Sequence, residues 1–372
     1  MKLSKPYHIK DFKFLLVLSV LALSIIGVLA VGSAEPSSQI KQIIGIIIGI
    51  IVMLVISMID YEWLLNLYWL IYGFNLFLLL YVHFFGMELN GAKRWINLFG
   101  FTTLQPSDFT KIFMILFFAK FLMNHEARMK EPLTIVKSVL LIAPSLLLIY
   151  KQPNLSNTLC IAALFCILMY IGGLSYKFIG TALAIAIPAA IIVVSIAVMP
   201  NQPFLKEYQQ KRILAWLEPE KYADDTAYQQ QNSIMAIGSG QLKGKGLNNN
   251  TTTSVKNGNF LLEADTDFIF AIIGEELGFV GCCIVIILLL LIVIQCILIG
   301  LRAQNLAGRI ICGGVAALIA IQSFINIGVA TGVLPNTGLS LPFVSAGLTS
   351  IVCFYMGIGF VLNVGLQPKK YQ

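Results

Sequence analysis

Charge is scarce in this chain. Only 12% of its 372 residues are Asp, Glu, Lys or Arg, against 58% hydrophobic. That balance excludes a string of soluble domains and places the chain among polytopic membrane proteins. Histidine is scarce and scattered (His8, His83, His125), which argues against a His-built metal site or proton relay. The seven cysteines (Cys160, Cys166, Cys282, Cys283, Cys296, Cys312, Cys353) all fall in apolar segments without metal or disulfide spacing, and read as small buried hydrophobes. No basic patch interleaved with aromatics occurs, so the net charge of +7 points to no nucleic acid partner. No internal repeat is visible, which weighs against inverted-repeat transporters.

What the chain does have is apolar helix. The first run, Phe14 to Gly32, follows four lysines. Gly32-Ser33-Ala34 resembles a signal cleavage site, but the run is long and many more follow, so an uncleaved first helix is expected. Further runs at 41–59, 63–85, 108–123, 133–150, 155–173, 178–198, 279–300, 309–333 and 342–366 can each cross a bilayer core of about 30 Å. The expectation is an all-α polytopic membrane protein of ten transmembrane helices, a single membrane domain over 1–372. Lysine and arginine in the short loops fall mainly on the side of both termini, which the positive-inside rule makes cytoplasmic. The segment 200–267, between spans 7 and 8, is then a large extracytoplasmic loop, joined there by 86–107, 151–154 and 334–341.

Polar chemistry gathers on that same side. Tyr228 to Gly281 turns Gly-, Asn- and Thr-rich, then delivers Asp267 to the mouth of a long apolar run. A carboxylate there is costly if desolvated and is a functional candidate, although Thr266 or Asp267 also reads as a helix N-cap. Asp267 to Gly278 is expected to form a helix at the interface, leading into the span. Gly274, Gly278 and Gly281 lie near the face of Asp267, a face open to close helix approach. Glu275 and Glu276 fall elsewhere, where lipid headgroups would solvate them. The segment 91–111 reads as a loop bearing Lys93, Arg94 and Trp95, and Pro106 opens a helix in which Asp108 and Lys111 can pair three residues apart. Lys151 to Asn154 ends another span. Arg212 lies early in the long loop, and Lys245 sits in a Gly-rich run with flexible backbone amides. Ile213, Leu214, Trp216 and Leu217, and then Ile234, Met235 and Ile237, are too apolar for a solvated coil and predict two amphipathic helices packed over the bundle. Asn248 to Thr253 reads as mobile. Several cations and two carboxylates at one face of a bundle suit an anionic lipid-linked substrate.

The ordered motifs GAKRWINL, LQPSDFTKI, KQPN, YQQKRI, QNSIMAIGSGQLKGKG, TDFIFAIIGEELGFVG and LPNTGLSLPFVSAG resemble the SEDS family (shape, elongation, division and sporulation), which includes RodA, FtsW and SpoVE, over essentially the whole chain. The resemblance implies a bacterial cytoplasmic-membrane glycosyltransferase that polymerises lipid II into peptidoglycan strands at the outer face. It also implies a class B penicillin-binding protein as transpeptidase partner, together with other elongation or division machinery. Asp267 matches the family's essential aspartate, Lys111 its Q-P-S-E-x-x-K lysine and Arg212 its YQ-x-x-RI arginine. Asp108 stands where glutamate is usual, Asn154 where aspartate is usual, and Ala346 where S-Y-G-G-[ST] has tyrosine. The implied roles are Asp267 as catalytic base, and Arg94, Asp108, Lys111, Asn154, Arg212 and Lys245 as substrate contacts. The resemblance also allows a divalent cation, magnesium or manganese, without a visible ligand cluster beyond Asp267 and Asp108. Short termini favour a RodA-like role in elongation and shape over division or sporulation. A flippase for lipid-linked precursors would need polar residues across the whole membrane, and these spans are nearly free of charge in their middle and inner parts. A non-catalytic scaffold would not call for Asp267 beside a glycine-lined face.

Overall fold

A computed structural model describes residues 12–89, 92–98, 102–129, 131–199, 207–222, 227–248, 261 and 263–367. It is mostly helical. The helices are α1 (Phe14–Ala34), α2 (Pro36–Met58), α3 (Tyr61–Leu65), α4 (Tyr68–Phe85), α5 (Pro106–Asn124), α6 (Pro132–Lys151), α7 (Leu155–Ile171), α8 (Tyr176–Val198), α9 (Glu207–Leu217), α10 (Tyr228–Ser239), α11 (Ile269–Leu301), α12 (Leu306–Ala330) and α13 (Leu348–Leu366). Among the described residues, seven of these (α1, α2, α4, α6, α11, α12 and α13) are long and apolar enough to cross a membrane. α5 carries Asp108 and Lys111 in its first two turns, and α7 is 17 residues long.

Local sequence explains the helix starts. Pro36 and Pro106 sit in the first turns of α2 and α5, where a missing N–H costs nothing. Asn305 caps α12 by accepting from Gly308 N at 2.9 Å, and Asp60 caps α3 by accepting from Glu62 N at 2.9 Å. The all-α expectation fails at one place. Met87–Leu89 (β1), Ala92–Leu98 (β2) and Thr102–Leu104 (β3) form a three-stranded antiparallel sheet in the order β1-β2-β3. Leu89 pairs with Ala92, the register of a two-residue connection, and Asn90-Gly91 is a strong sequence signal for such a hairpin.

α13 is the centre of the bundle, with 89% of its most apolar window buried. Polar contacts fix it at both ends. Ser24 Oγ lies 2.8 Å from Tyr355 OH, and Asn363 Nδ2 donates to Ser57 O at 2.8 Å while its Oδ1 accepts from Tyr61 N at 3.1 Å. The outer faces of α1, α2, α4 and α11 expose large apolar side chains such as Leu18, Ile47, Phe77 and Leu290. Such a belt suits lipid, since every backbone group beneath it is satisfied within its own helix.

α11 is broken. Gly278 takes φ 68 and ψ −165, so Ile269–Leu277 and Phe279–Leu301 are two helices meeting at a kink. The break matches the interfacial helix expected before the span. α9 and α10 supply the two helices expected in the 200–267 segment. Trp216 Nε1 donates to Gly332 O at 3.1 Å, and Ile237 packs on Gly274. The run 249–253 lies outside the described residues.

Beyond α10, the chain clasps the kink. Lys245 N donates to Glu275 O at 2.9 Å and Gly246 N to Glu276 O at 3.0 Å, while Phe279 N donates to Gln241 O at 2.8 Å. A Cβ on Gly240 would stand 1.9 Å from Gly274 O, and one on Gly278 2.3 Å from Gly244 N. Gly274 and Gly278 therefore permit the close approach expected of them. The atoms nearest Gly281 come from no other helix of the bundle: a Cβ there would stand 2.2 Å from Leu277 Cβ, on the other side of the kink. Glu275 and Glu276 correct the expectation of headgroup solvation: they are 1% and 3% exposed. Lys245 Nζ sits 2.8 Å from Glu275 Oε1, and Ser33 Oγ hydrogen-bonds Glu276. Carboxylates this deeply buried are held by partners, not by water.

Candidate active site

The starts of α2, α5, α7, α11 and α13 and the end of α12 lie at one end of the bundle, around a cavity of about 740 Å³. Asp267 stands in its wall. The preceding turn is folded by Thr266 Oγ1, which donates to Glu263 Oε2 at 2.9 Å, and by Phe268 N, which donates to Glu263 O at 3.1 Å. The 338–347 segment stitches to it. Ser345 Oγ donates to Thr266 O at 2.6 Å and Ala346 N to Asp265 O at 2.8 Å. Asn326 Nδ2 donates to both Asp267 O and Leu339 O at 2.8 Å. Gly338 has φ 72 and faces the carboxylate; a Cβ there would stand 3.2 Å from Asp267 Oδ2.

These contacts overturn the N-cap alternative. Phe268 is the cap residue of α11 and no side chain bonds the helix start. Among the described residues, nothing hydrogen-bonds the Asp267 carboxylate.

Among the described residues, three cations (Lys41, Arg94, Arg212) and four carboxylates (Asp108, Glu263, Asp265, Asp267) line the cavity. Arg94, on β2, is aimed by backbone carbonyls: Nε donates to Gln152 O at 3.1 Å and a terminal nitrogen to Pro153 O. Arg212, on α9, donates to Asn336 O at 3.4 Å. Asn154 caps α7 by accepting from Asn157 N at 3.3 Å and lines the cavity as well. The Asp267 carboxyl is pushed up from 3.8 to about 7. Desolvation under the cavity wall is the largest cause and the Glu263 charge the next, while Arg212 pulls it down, Asp265 raises it and Arg94 pulls it down again. The result is a carboxylate that can accept a proton near neutral pH.

The remaining sequence candidates divide. Asp108 reaches the cavity. Lys111 Nζ lies 2.9 Å from Asp108 Oδ1 with its side chain 3% exposed, so it braces Asp108 from behind and does not line the cavity. Lys245 is a correction, since its ammonium is spent on Glu275 at the α11 kink, away from the cavity. A lysine in a glycine-rich run reads like a phosphate ligand; its partner, 30 residues on, is not legible locally. Lys41, Gln42, Asn157, Gln322 and Asn336 also line the cavity, and sequence reasoning did not single them out. For all but Asn336, which lies between α12 and α13, the signal is a polar residue inside an apolar helix, as in IKQIIG and IAIQSFIN. Among the described residues, no three His, Cys, Asp or Glu side chains converge as a metal site.

A sequence model of the family described as "Cell cycle protein", covering FtsW, RodA and SpoVE, matches residues 8–370. A probable peptidoglycan glycosyltransferase FtsW of Trichlorobacter lovleyi is 33% identical over 99% of this chain and 96% of its own length. The peptidoglycan glycosyltransferase MrdB of Escherichia coli K12 is 32% identical over 97% of this chain and 95% of its own. Among solved structures, a chain from work on how a peptidoglycan synthase complex coordinates polymerization and crosslinking superposes with a TM-score of 0.77 at 28% identity, covering 95% of this chain and 97% of that one. The rod shape determining protein RodA of Thermus thermophilus shares the fold, with a TM-score of 0.71 at 24% identity over 97% of this chain and 98% of its own.

Proposed function

The chain belongs to the FtsW, RodA and SpoVE family of cell cycle proteins, and we propose that it is a peptidoglycan glycosyltransferase that polymerises lipid II. One observation carries this reading: Asp267, with its carboxyl raised to about 7, stands in the wall of a 740 Å³ cavity beside the charges of Arg94 and Arg212. The reaction needs a base and a place for pyrophosphate. The 4-hydroxyl of the incoming lipid II attacks the anomeric carbon of the growing strand, with inversion. Asp267 takes the hydroxyl proton as the new C–O bond forms, and the bond to the lipid pyrophosphate breaks with its electron pair on the phosphate oxygen. Arg94 and Arg212 stabilise that charge as it develops. Lys111 contributes indirectly, by holding Asp108 in place.

The topology of this reading is ten spans: α1, α2, the α3–α4 pair, α5 to α8, and α11 to α13, in one membrane domain over 1–372. It lies in the bacterial cytoplasmic membrane with both termini inside. The cavity, the sheet and the α9–α10 lid are then extracytoplasmic, where lipid II is presented. A polar lining confined to one end of the bundle supports surface chemistry over transport. The likeness to a chain of a polymerising and crosslinking complex supports a class B penicillin-binding protein as partner. In this reading the role is elongation and shape.

The deciding experiment is lipid II polymerisation by purified protein with its partner. Asp267→Asn is expected to abolish strand synthesis while the protein still inserts and folds. Near-wild-type activity in the Asn protein would remove Asp267 as the base, and the proposed chemistry with it.

A further inference from the structure

Part of the cavity lining is neutral and rich in amides. Gln322 on α12 lines the cavity and is 1% exposed, yet among the described residues neither its Oε1 nor its Nε2 has a hydrogen-bond partner. Asn154 and Asn157, on the neighbouring α7, line the same cavity and are 5% and 3% exposed. Asn154 Oδ1 is committed to Asn157 N at 3.3 Å, which leaves its Nδ2 without a partner. Asn157 Nδ2 is committed to Ser107 Oγ at 3.3 Å, which leaves its Oδ1 without one. Buried amides are nearly always satisfied, so these unmet ones, joined in the same cavity by Gln42 Oε1 and Asn336 Oδ1, point to a ligand that meets them.

Their chemistry narrows the ligand. Gln322 and the two α7 asparagines together offer a donor from Asn154, an acceptor from Asn157, and one of each from Gln322, with no net charge. A phosphate presents acceptors only and would meet Asn157 Oδ1 lone pair to lone pair. An acetamido group presents one acceptor and one donor in the same plane, the complement of a primary amide such as Gln322. Position narrows it further. Gln322 lies one helical turn from Asn326 on the same face of α12, and Asn326 holds the Asp267 backbone. The group that reaches Gln322 therefore belongs to the sugar whose hydroxyl reaches Asp267.

We infer that Gln322, with Asn154 and Asn157, forms a neutral subsite that recognises the acetamido group of the acceptor sugar, the one bearing the attacking 4-hydroxyl. The inference rests on the glycosyltransferase reading and deepens it. The arginines take the pyrophosphate, and the amides set the choice of sugar.

The test uses full-length protein with its partner and two substrates, lipid II and an analogue whose terminal glucosamine carries a free amine in place of the acetamido group. Gln322→Met, which keeps the length of the side chain, is expected to raise KM for lipid II about tenfold or more with kcat within about threefold. The wild type should show a similar KM rise on the analogue, and the variant no further rise. Thermal stability should stay level or increase, because an unmet amide has left the interior. An unchanged KM, or equal discrimination against the analogue by wild type and variant, overturns the inference. So does a lowered stability with KM unchanged, the mark of a purely structural amide. Gln322→Leu takes the place of the Met variant if that one does not insert. Two controls in the same assay separate the readings: if the wild type makes no strands the glycosyltransferase assignment fails, if Asp267→Asn is active only its role as base fails, and if Asp267→Asn is inactive while Gln322→Met keeps its KM, only the amide subsite fails.

Discussion

Asn326 holds Asp267 by its backbone carbonyl, at 2.8 Å, and not by its carboxylate. The same amide nitrogen donates to Leu339 O at 2.8 Å, so one side chain on α12 ties both walls of the cavity together. Removing it in Asn326→Leu leaves two buried carbonyls unmet, and stability is expected to fall by about 2 kcal/mol. Polymerisation should fall more than folding explains, on the order of tenfold to a hundredfold, because a base displaced by a fraction of an ångström loses its near-attack geometry. Thermal denaturation and initial rates on the same folded preparation measure both.

The charges around Asp267 set its working pH. Only the ionised carboxylate accepts a proton, so kcat should rise with pH and reach half its plateau near pH 7. Glu263 raises this carboxyl and Arg212 lowers it. Glu263→Gln should therefore move the midpoint to lower pH, and Arg212→Ala to higher pH. A rate profile at saturating lipid II reads the shifts directly, and matching midpoints in all three proteins would mean that another group is titrating.

The same raised carboxyl makes a stability prediction of opposite sense. A pKa raised from 3.8 to about 7 means that the folded state binds this proton more tightly than the unfolded state. Stability contributed by the neutral form is complete below about pH 4 and is lost as pH rises through about 7. Asp267→Asn removes the ionisation. Its melting temperature should match the wild type at pH 4 and exceed it at pH 8, by the equivalent of about 1–3 kcal/mol after allowance for the solvent-facing side of the carboxyl.

Lys245 and Glu275 supply a test of structure without chemistry. Lys245→Met leaves a carboxylate that is 1% exposed without its cation and is expected to cost about 3–5 kcal/mol. The double variant Lys245→Met with Glu275→Met should recover most of that loss. KM for lipid II in the folded fraction should not move in either protein. A raised KM in the single variant that persists in the double variant would return Lys245 to the substrate.

The legible parts of the molecule were those with local causes. Long apolar runs marked α1, α2, α4 to α8 and α11 to α13, and Asp267 stood out because a carboxylate is costly at the mouth of such a run. The α9 and α10 helices were readable from Trp216 and Ile237, whose spacing matches a buried face. The Asp108–Lys111 pair was readable because three residues make about one helical turn. What escaped depends on distant partners. Whether Glu275 meets water or Lys245 is decided by how the 240–246 segment crosses the helix. Gln322 and Asn157 reach the cavity only because α12 packs against α7. The β1–β2 hairpin is a different case: its Asn90-Gly91 signal is local, but the polar run after it resembles an ordinary loop.

The kink at Gly278 divides α11 into two mechanical bodies. Helix carbonyls that would normally bond onward within one rod, at Glu275 and Glu276, instead accept from Lys245 N and Gly246 N. The 241–246 segment bridges the break, because Phe279 N and Val280 N below the glycine donate to Gln241 O and Leu242 O. Both pieces are therefore held by one splint, which fixes the angle at the joint. The upper piece runs back toward Asp267, eleven positions before the glycine, so the splint that sets this angle also sets where the carboxylate stands above the spanning rod.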